Sequence, residues 1–224
     1  MSDFGAASSA ARPVEGRRER NKRDKLERIV RAATELFREQ GFDETTGRQI
    51  CERAGIATGT LFLYVRDKRE LLFLMFRPRA EGAFARLPVG LGEGEGVVDG
   101  LMRLFGALMR VYGRDPRLAR LFVQELLFRS DQVEAMRALS AELAARVARI
   151  VEDGCARGEL RDDVVAAELG SALSAHYVFW IQLWLGTGAV GRRAAEQGLR
   201  RALELQMSGV AATARAAKTR RSKT

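Results

Sequence analysis

The segment from Thr46 to Tyr64 constrains the fold more than any other stretch of this chain. Two short helical runs meet there at Ala54-Gly55-Ile56. Ile50, Cys51 and Ala54 fall on the inward side of the first run, and Gly55 sits where the chain must turn. A glycine accepts backbone angles that a Cβ would oppose. Small Cys51 and Ala54 let the two runs approach, while Ile56 and Leu61 plug their shared core. This spacing predicts a helix-turn-helix whose second helix is exposed and free to enter a DNA major groove. A helix corner without any partner, common in all-α proteins, is the other reading of the spacing alone.

The periodic segments around this corner are helical too. Leu26, Ile29, Val30, Ala33, Leu36 and Phe37 predict a first helix of about four turns, stopped by Gly41. Thr45 or Thr46 can cap the next. Asp67 followed by Glu70 reads as a capping-box start for a helix through Leu71–Phe76, with Pro78 as its first break or a kink. Residues 88–96, PVGLGEGEG, form the clearest loop. Asp115-Pro116 supplies a cap and a first helical residue. Further helices are expected over 97–113, 116–128, 131–157, 163–185 and 190–207. No segment alternates as a strand does, so the expected fold class is all-α. A three-helix N-terminal domain spans 24–70 and a larger helical domain 71–207, between a flexible basic arm (1–23) and a flexible basic tail (208–224).

Charge placement matters more than the total. The formal net charge is +9, of which residues 1–76 carry +3, residues 77–207 carry +1 and the tail from 208 carries +5. More than half of the excess therefore lies in a short tail, and the total alone argues weakly for a folded nucleic-acid surface. Cys51 and Cys155 are far apart and fit neither a secreted disulfide framework nor a multi-cysteine zinc site. Residues 169–191 contain no Lys, Arg, Asp or Glu, but Ser171, Ser174, His176, Gln182 and several glycines interrupt them. That span reads as a buried helix rather than a membrane crossing. The N-terminus lacks a signal-peptide apolar run, so a cytoplasmic protein with no membrane partner is expected.

The N-terminal residues closely resemble the DNA-binding domain of the TetR family of transcriptional regulators. Gly41-Phe42, Thr45-Thr46, Ala54-Gly55-Ile56, Gly59-Thr60-Leu61 and Lys68 match its pattern over roughly residues 26–74. Four positions depart from it. Ala57 stands where a Ser or Thr usually caps the recognition helix, Phe62 replaces a common Tyr, Val65 a Phe and Cys51 an Ala. The helical remainder resembles the family's ligand-binding and dimerisation domain in organisation only.

Site expectations follow. Thr46 and Arg48, at the start of the second helix, can meet phosphate, or serve as a cap and a solvated charge. Thr58, Gly59 and Thr60 can approach base edges, and Tyr64 and Lys68 resemble the family's phosphate contacts. Leu61 and Phe62 read as core. The arm cluster Arg17, Arg18, Arg20, Lys22 and Arg23 can follow the DNA backbone or a minor groove, or merely solubilise the chain. The tail's Arg215, Lys218, Arg220, Arg221 and Lys223 carry the same idea more weakly.

The resemblance further implies a homodimer built on the last two long helices, with Gly170, Ala172, Ala175 and Leu183 as close-packing candidates. It also implies a pocket for a small-molecule effector, lined by Phe105, Met109, Tyr112, Phe122, Phe128, His176, Tyr177 and Trp180, each equally well explained as core. The implied function is a ligand-responsive regulator, a repressor released from a palindromic operator by a largely apolar effector, with no cofactor. The alternatives are an activator of the same fold, or an all-α enzyme or hydrophobic-ligand carrier. A lone histidine, no CxxC and no phosphate-binding glycine loop leave the enzyme reading little chemistry.

Overall fold

The computed structural model describes residues 16–128 and 134–211, and the chain divides into two compact units, Met1–Asp67 and Lys68–Thr224. The described elements are helical, apart from an isolated bridge between Leu160 and Ala211.

The smaller unit contains α1 (Arg17–Glu39), α2 (Gly47–Ala54) and a 3-10 helix (Thr58–Leu63). α1 starts at Arg17, so residues 17–23, expected in the arm, are helical instead. Long unbranched side chains favour helix without a buried face, and Arg23 pairs with Glu27 one turn on. Ile29, Ala33, Leu36 and Phe37 of α1 pack inward with Ile50, Cys51 and Ala54 of α2, Leu61 and Val65. Arg53 adds a polar clamp, 2.9 Å from Glu39 and 3.5 Å from Glu35.

The larger unit contains α3 (Glu70–Phe84), α4 (Val97–Gly113), α5 (Pro116–Phe128), α6 (Glu134–Ala156), α7 (Ala166–Ile181) and α8 (Arg192–Ser208). A π turn at Gln182–Gly186 extends α7. Two expectations about α3 need correction. Arg69, not Asp67, is its N-cap, and no side chain caps it. Nor does Pro78 end it. Leu71, Leu72, Met75 and Phe76 before the proline and Ala80, Ala83 and Phe84 after it are buried, and that packing outweighs one lost backbone hydrogen bond. Asp115 does cap α5, its Oδ1 accepting from the Leu118 amide at 3.4 Å.

Aromatic rings form the middle of this unit. Phe76 stacks on Phe122 at 4.8 Å between centroids, with Phe73 and Tyr112 at 5.4 and 6.0 Å from Phe122. Phe105 of α4 lies nearly parallel to Tyr177 of α7 at 4.6 Å. The loop at 88–96 is tied down rather than loose. Asp153 accepts from the Leu91 amide, Glu159 from the Val97 amide, and Arg103 and Arg157 donate to loop carbonyls. Among the described residues no helix is long and apolar enough to cross a membrane, and no group of His, Cys, Asp or Glu could hold a metal.

Candidate functional site

The corner in the smaller unit is built by three local devices. Thr46 caps α2, its Oγ1 accepting from the Gln49 amide at 3.3 Å while Gln49 Oε1 accepts from the Thr46 amide at 2.8 Å. This reciprocal capping box satisfies two donors that a helix start leaves orphaned. At the other end Gly55 takes the left-handed conformation, φ 64°, and the Ile56 amide bonds back to the Cys51 carbonyl at 3.0 Å. The buried thiol of Cys51 then donates to the Thr58 carbonyl at 3.4 Å, joining α2 to the next segment.

That segment is a 3-10 helix with Ala57 as an N-cap that makes no side-chain bond. Two threonines and a glycine in six residues are poor α-helix formers, and nothing replaces the missing cap. Leu61 is buried, and a Cβ on Gly47 would sit 3.2 Å from its Cδ2, so α2 approaches this side chain closely. Phe62, expected in the core, is 66% exposed, and Leu63 is 79% exposed. Phe62 and Leu63 lie roughly a third and two thirds of a turn round from Leu61, which turns both outward. Apolar character alone marks Phe62 as core, but its place on the helix beside inward-facing Leu61 turns it to solvent.

The predicted DNA-facing residues divide accordingly. Thr58 and Gly59 are exposed, and Thr60 and Tyr64 are half-buried at the same segment. Thr46 is exposed with its hydroxyl committed to the cap, and Arg48, also exposed, pairs with Glu52 at 2.8 Å. Lys68 is the first residue of the larger unit. The arm cluster lies along the exposed first turns of α1. Tail residues Arg215, Lys218, Arg220, Arg221 and Lys223 lie outside the described residues. Near the corner, Arg53 holds the Glu39 carboxyl below its usual range through a direct hydrogen bond.

The predicted pocket residues fall into two groups. Phe105, Met109, Tyr112, Phe122 and Tyr177 are buried in the larger unit's interior. Burial pushes the Tyr112 hydroxyl up to about 12 and raises that of Tyr177 well above the ordinary tyrosine value. Tyr112 influences the titration of Tyr177, yet no well-formed hydrogen bond reaches Tyr177 Oη, which is buried without a partner. Gln182 Oε1 at the π turn is buried and unpartnered too. A buried polar atom left unpaired costs free energy and marks a place where a ligand can supply the missing bond. His176 and Trp180 point elsewhere, toward α8. His176 Nε2 lies 3.4 Å from Gln206 Oε1, and a Cβ on Gly198 would run into the Trp180 ring. The side chain of Phe128 lies outside the described residues. Sequence reasoning passed over Phe73 and Phe76 of α3, which complete the aromatic cluster.

The predicted dimer contacts also separate. Ala175 is exposed and Ala172 half-buried on a face of α7 that carries exposed Val178 and Phe179, and Leu205 of α8 is 76% exposed. Gly170 faces inward instead, where a Cβ would meet Val147 of α6 at 3.4 Å, and Leu183 is half-buried in the π turn.

Comparison with known proteins extends this geometry over both units. Residues 29–75 match the family model for bacterial regulatory proteins of the tetR family, and residues 98–183 match the tetracyclin repressor-like C-terminal domain. The chain is 24% identical over 146 residues to the fatty acid metabolism regulator protein of Bacillus subtilis, covering 64% of this chain and 74% of that protein. It is 33% identical over 153 residues to the HTH-type transcriptional regulator TcmR of Streptomyces glaucescens, covering 58% and 64%. The solved structure of Thermus thermophilus FadR, a TetR-family transcriptional repressor in complex with lauroyl-CoA, is similar with a TM-score of 0.58 and 28% identity, covering 82% of this chain and 94% of that one. A TetR-family structure from Syntrophomonas wolfei shares the fold with a TM-score of 0.62 at 16% identity, covering 83% and 96%.

Proposed function

The chain belongs to the TetR family of bacterial regulatory proteins, and from that premise we propose that it is a homodimeric repressor, holding a palindromic operator until a small, largely apolar effector releases it. The observation that carries this reading is the exposed segment at Thr58–Leu63, set behind a left-handed glycine corner. Thr58, Gly59 and Thr60 read base edges there, where a glycine allows close approach and threonine offers a hydroxyl and a methyl. Arg48, Tyr64, Lys68 and the capped start of α2 take phosphates. One short segment covers few base pairs, so two copies about a two-fold axis are needed to read a usable site. The exposed apolar stripe of Ala175, Val178 and Phe179, with Leu205 of α8, supports a second copy covering that face.

The buried, unpartnered Tyr177 hydroxyl beside the Phe105 ring supports an effector seated among α4, α5 and α7. The Bacillus relative is named for fatty acid metabolism and the Thermus relative is bound to lauroyl-CoA, which supports a fatty acyl chain as the effector class. Release requires that the dimer geometry fitting the operator bind the effector less well than the alternative geometry does.

DNA selected from a random pool by the purified protein is expected to converge on a palindrome, and lauroyl-CoA to release it. Selection without palindromic enrichment would overturn the central claim. Replacing Thr60 and Lys68 together by alanine should weaken operator binding by about tenfold or more while leaving the dimer intact. Tyr177→Phe should leave folding and operator affinity unchanged and weaken the effector's action.

A further inference from the structure

One cleft in the larger unit is distinguished by charge. It lies between α3 and α4, encloses about 380 Å³, and is walled by Arg79 and Arg86 on one side and Arg110 and Arg114 on the other. No Asp or Glu lines it, and its lining also includes buried Ala83, Ala107 and Val111. Several other arginines in this unit are matched with carboxylates. Arg77 pairs with Glu81, Arg103 with Glu95, Arg146 with Glu142, and Arg200 with Asp99. The side chains of Arg86, Arg110 and Arg114 make no hydrogen bond or ion pair among the described residues.

Both walls repeat one arrangement. Arg86 Nη1 lies 3.7 Å from where a Cβ of Gly82 would stand, and Arg110 Nη1 lies 3.3 Å from the same point at Gly106. Each guanidinium is thus laid back over a glycine one turn earlier. Glycine inside a helix costs stability, so two such placements need a reason beyond helix formation. The C-terminal ends of α3 and α4 favour cations at Arg86, Arg110 and Arg114, but do not by themselves gather them with Arg79 into one cleft. On α4, positions 107, 110, 111 and 114 face away from Phe105, Met109 and Tyr112, so the cleft is separate from the aromatic interior.

We propose that this cleft is a second small-molecule site, one that takes the phosphate groups of a pyrophosphate or nucleotide-like ligand. Guanidinium groups hold phosphate oxygens through paired, charge-assisted bonds. A single carboxylate would leave most of the charge on Arg86, Arg110 and Arg114 uncompensated, whereas the several anionic oxygens of a pyrophosphoryl group can accept from all three. The site does not depend on the DNA reading and can be tested without DNA.

The test is calorimetric titration of the full-length protein at 0.15 M salt with inorganic pyrophosphate, ADP and coenzyme A in turn. One saturable site per chain is expected for at least one of them. Binding of pyrophosphate assigns the site to bare phosphates, and binding of only ADP or coenzyme A assigns it to a nucleotide-bearing ligand. Arg86→Gln with Arg110→Gln should cut the affinity at least tenfold. Arg117→Gln with Arg193→Gln removes the same charge elsewhere and should leave the affinity within twofold. Absence of saturable binding to all three, or equal losses in both double variants, would overturn the proposal.

Discussion

The two units solve the same problem, fixing side chains for recognition, by different physical means. In the smaller unit the backbone does the positioning. A capping box at Thr46, a left-handed Gly55 and the short 3-10 winding after Ala57 dictate which residues are presented, and the core behind them is modest. In the larger unit packing does it. Phe73, Phe76, Phe105, Tyr112, Phe122 and Tyr177 interlock from four helices, and the polar atoms they bury, such as Tyr177 Oη, have nowhere else to turn. Positions set by backbone devices fail when a turn or cap is removed. Positions set by packing fail when volume is removed.

Substitutions can break that contrast. Phe122→Ala empties a fully buried site touched by three other rings and should cost about 3–5 kcal/mol, read by calorimetric unfolding of the larger unit. If operator binding by the smaller unit is lost before the larger unit melts, the contrast is wrong. Gly55→Val puts a β-branched residue at φ 64° and should cost about 1–3 kcal/mol. Its signature is loss of operator affinity with the larger unit's melting unchanged. Thr46→Ala removes the capping hydroxyl and should cost about 1 kcal/mol, seen as fraying of α2 in amide exchange. Thr46→Ser should restore it.

The smallest effect sharpens the contrast through pH. Hydrogen bonding from Arg103 holds the Glu95 carboxyl below its ordinary value, and Arg53 does the same for Glu39. A depressed carboxylate contributes stability that is fully present above the unfolded value, about 4.3, and lost as pH falls through the folded one. Both units should therefore weaken below about pH 4. Glu39 is exposed, so raising salt should erase its share. Glu95 is mostly covered and also accepts from the Gly92 amide, so its share should survive. Melting curves at pH 3 and 6, each at low and high salt, separate the two.

Legibility in the sequence follows the same division. The Ala54-Gly55-Ile56 corner, the Thr46 cap and the Asp115 cap are local chemistry, and each can be read from a few neighbouring residues. Phe62 is apolar and reads as core, but facing depends on which neighbour is held inward, and that is Leu61, packed against α2. Local preference alone makes Pro78 a break, whereas burial on both sides carries α3 through it. Within one charge-free span, Gly170 faces α6, Tyr177 the aromatic interior and His176 α8. Composition suggests that span is buried, yet Ser171, Ala175, Val178 and Phe179 within it are exposed. Nor does it say what the buried residues pack against.

The close approach of Gly47 to Leu61 and the Cys51 thiol on the Thr58 carbonyl tie this segment to α2, while the side chains of Thr58, Phe62 and Leu63 are exposed. On the proposed reading, folding and target choice thereby fall to different residues of the same short stretch. Such a head is evolvable. If the proposed base contacts hold, substitutions at the outward positions would retarget it to a new base sequence without a compensating change in the scaffold, so long as positions 47 and 61 keep their sizes.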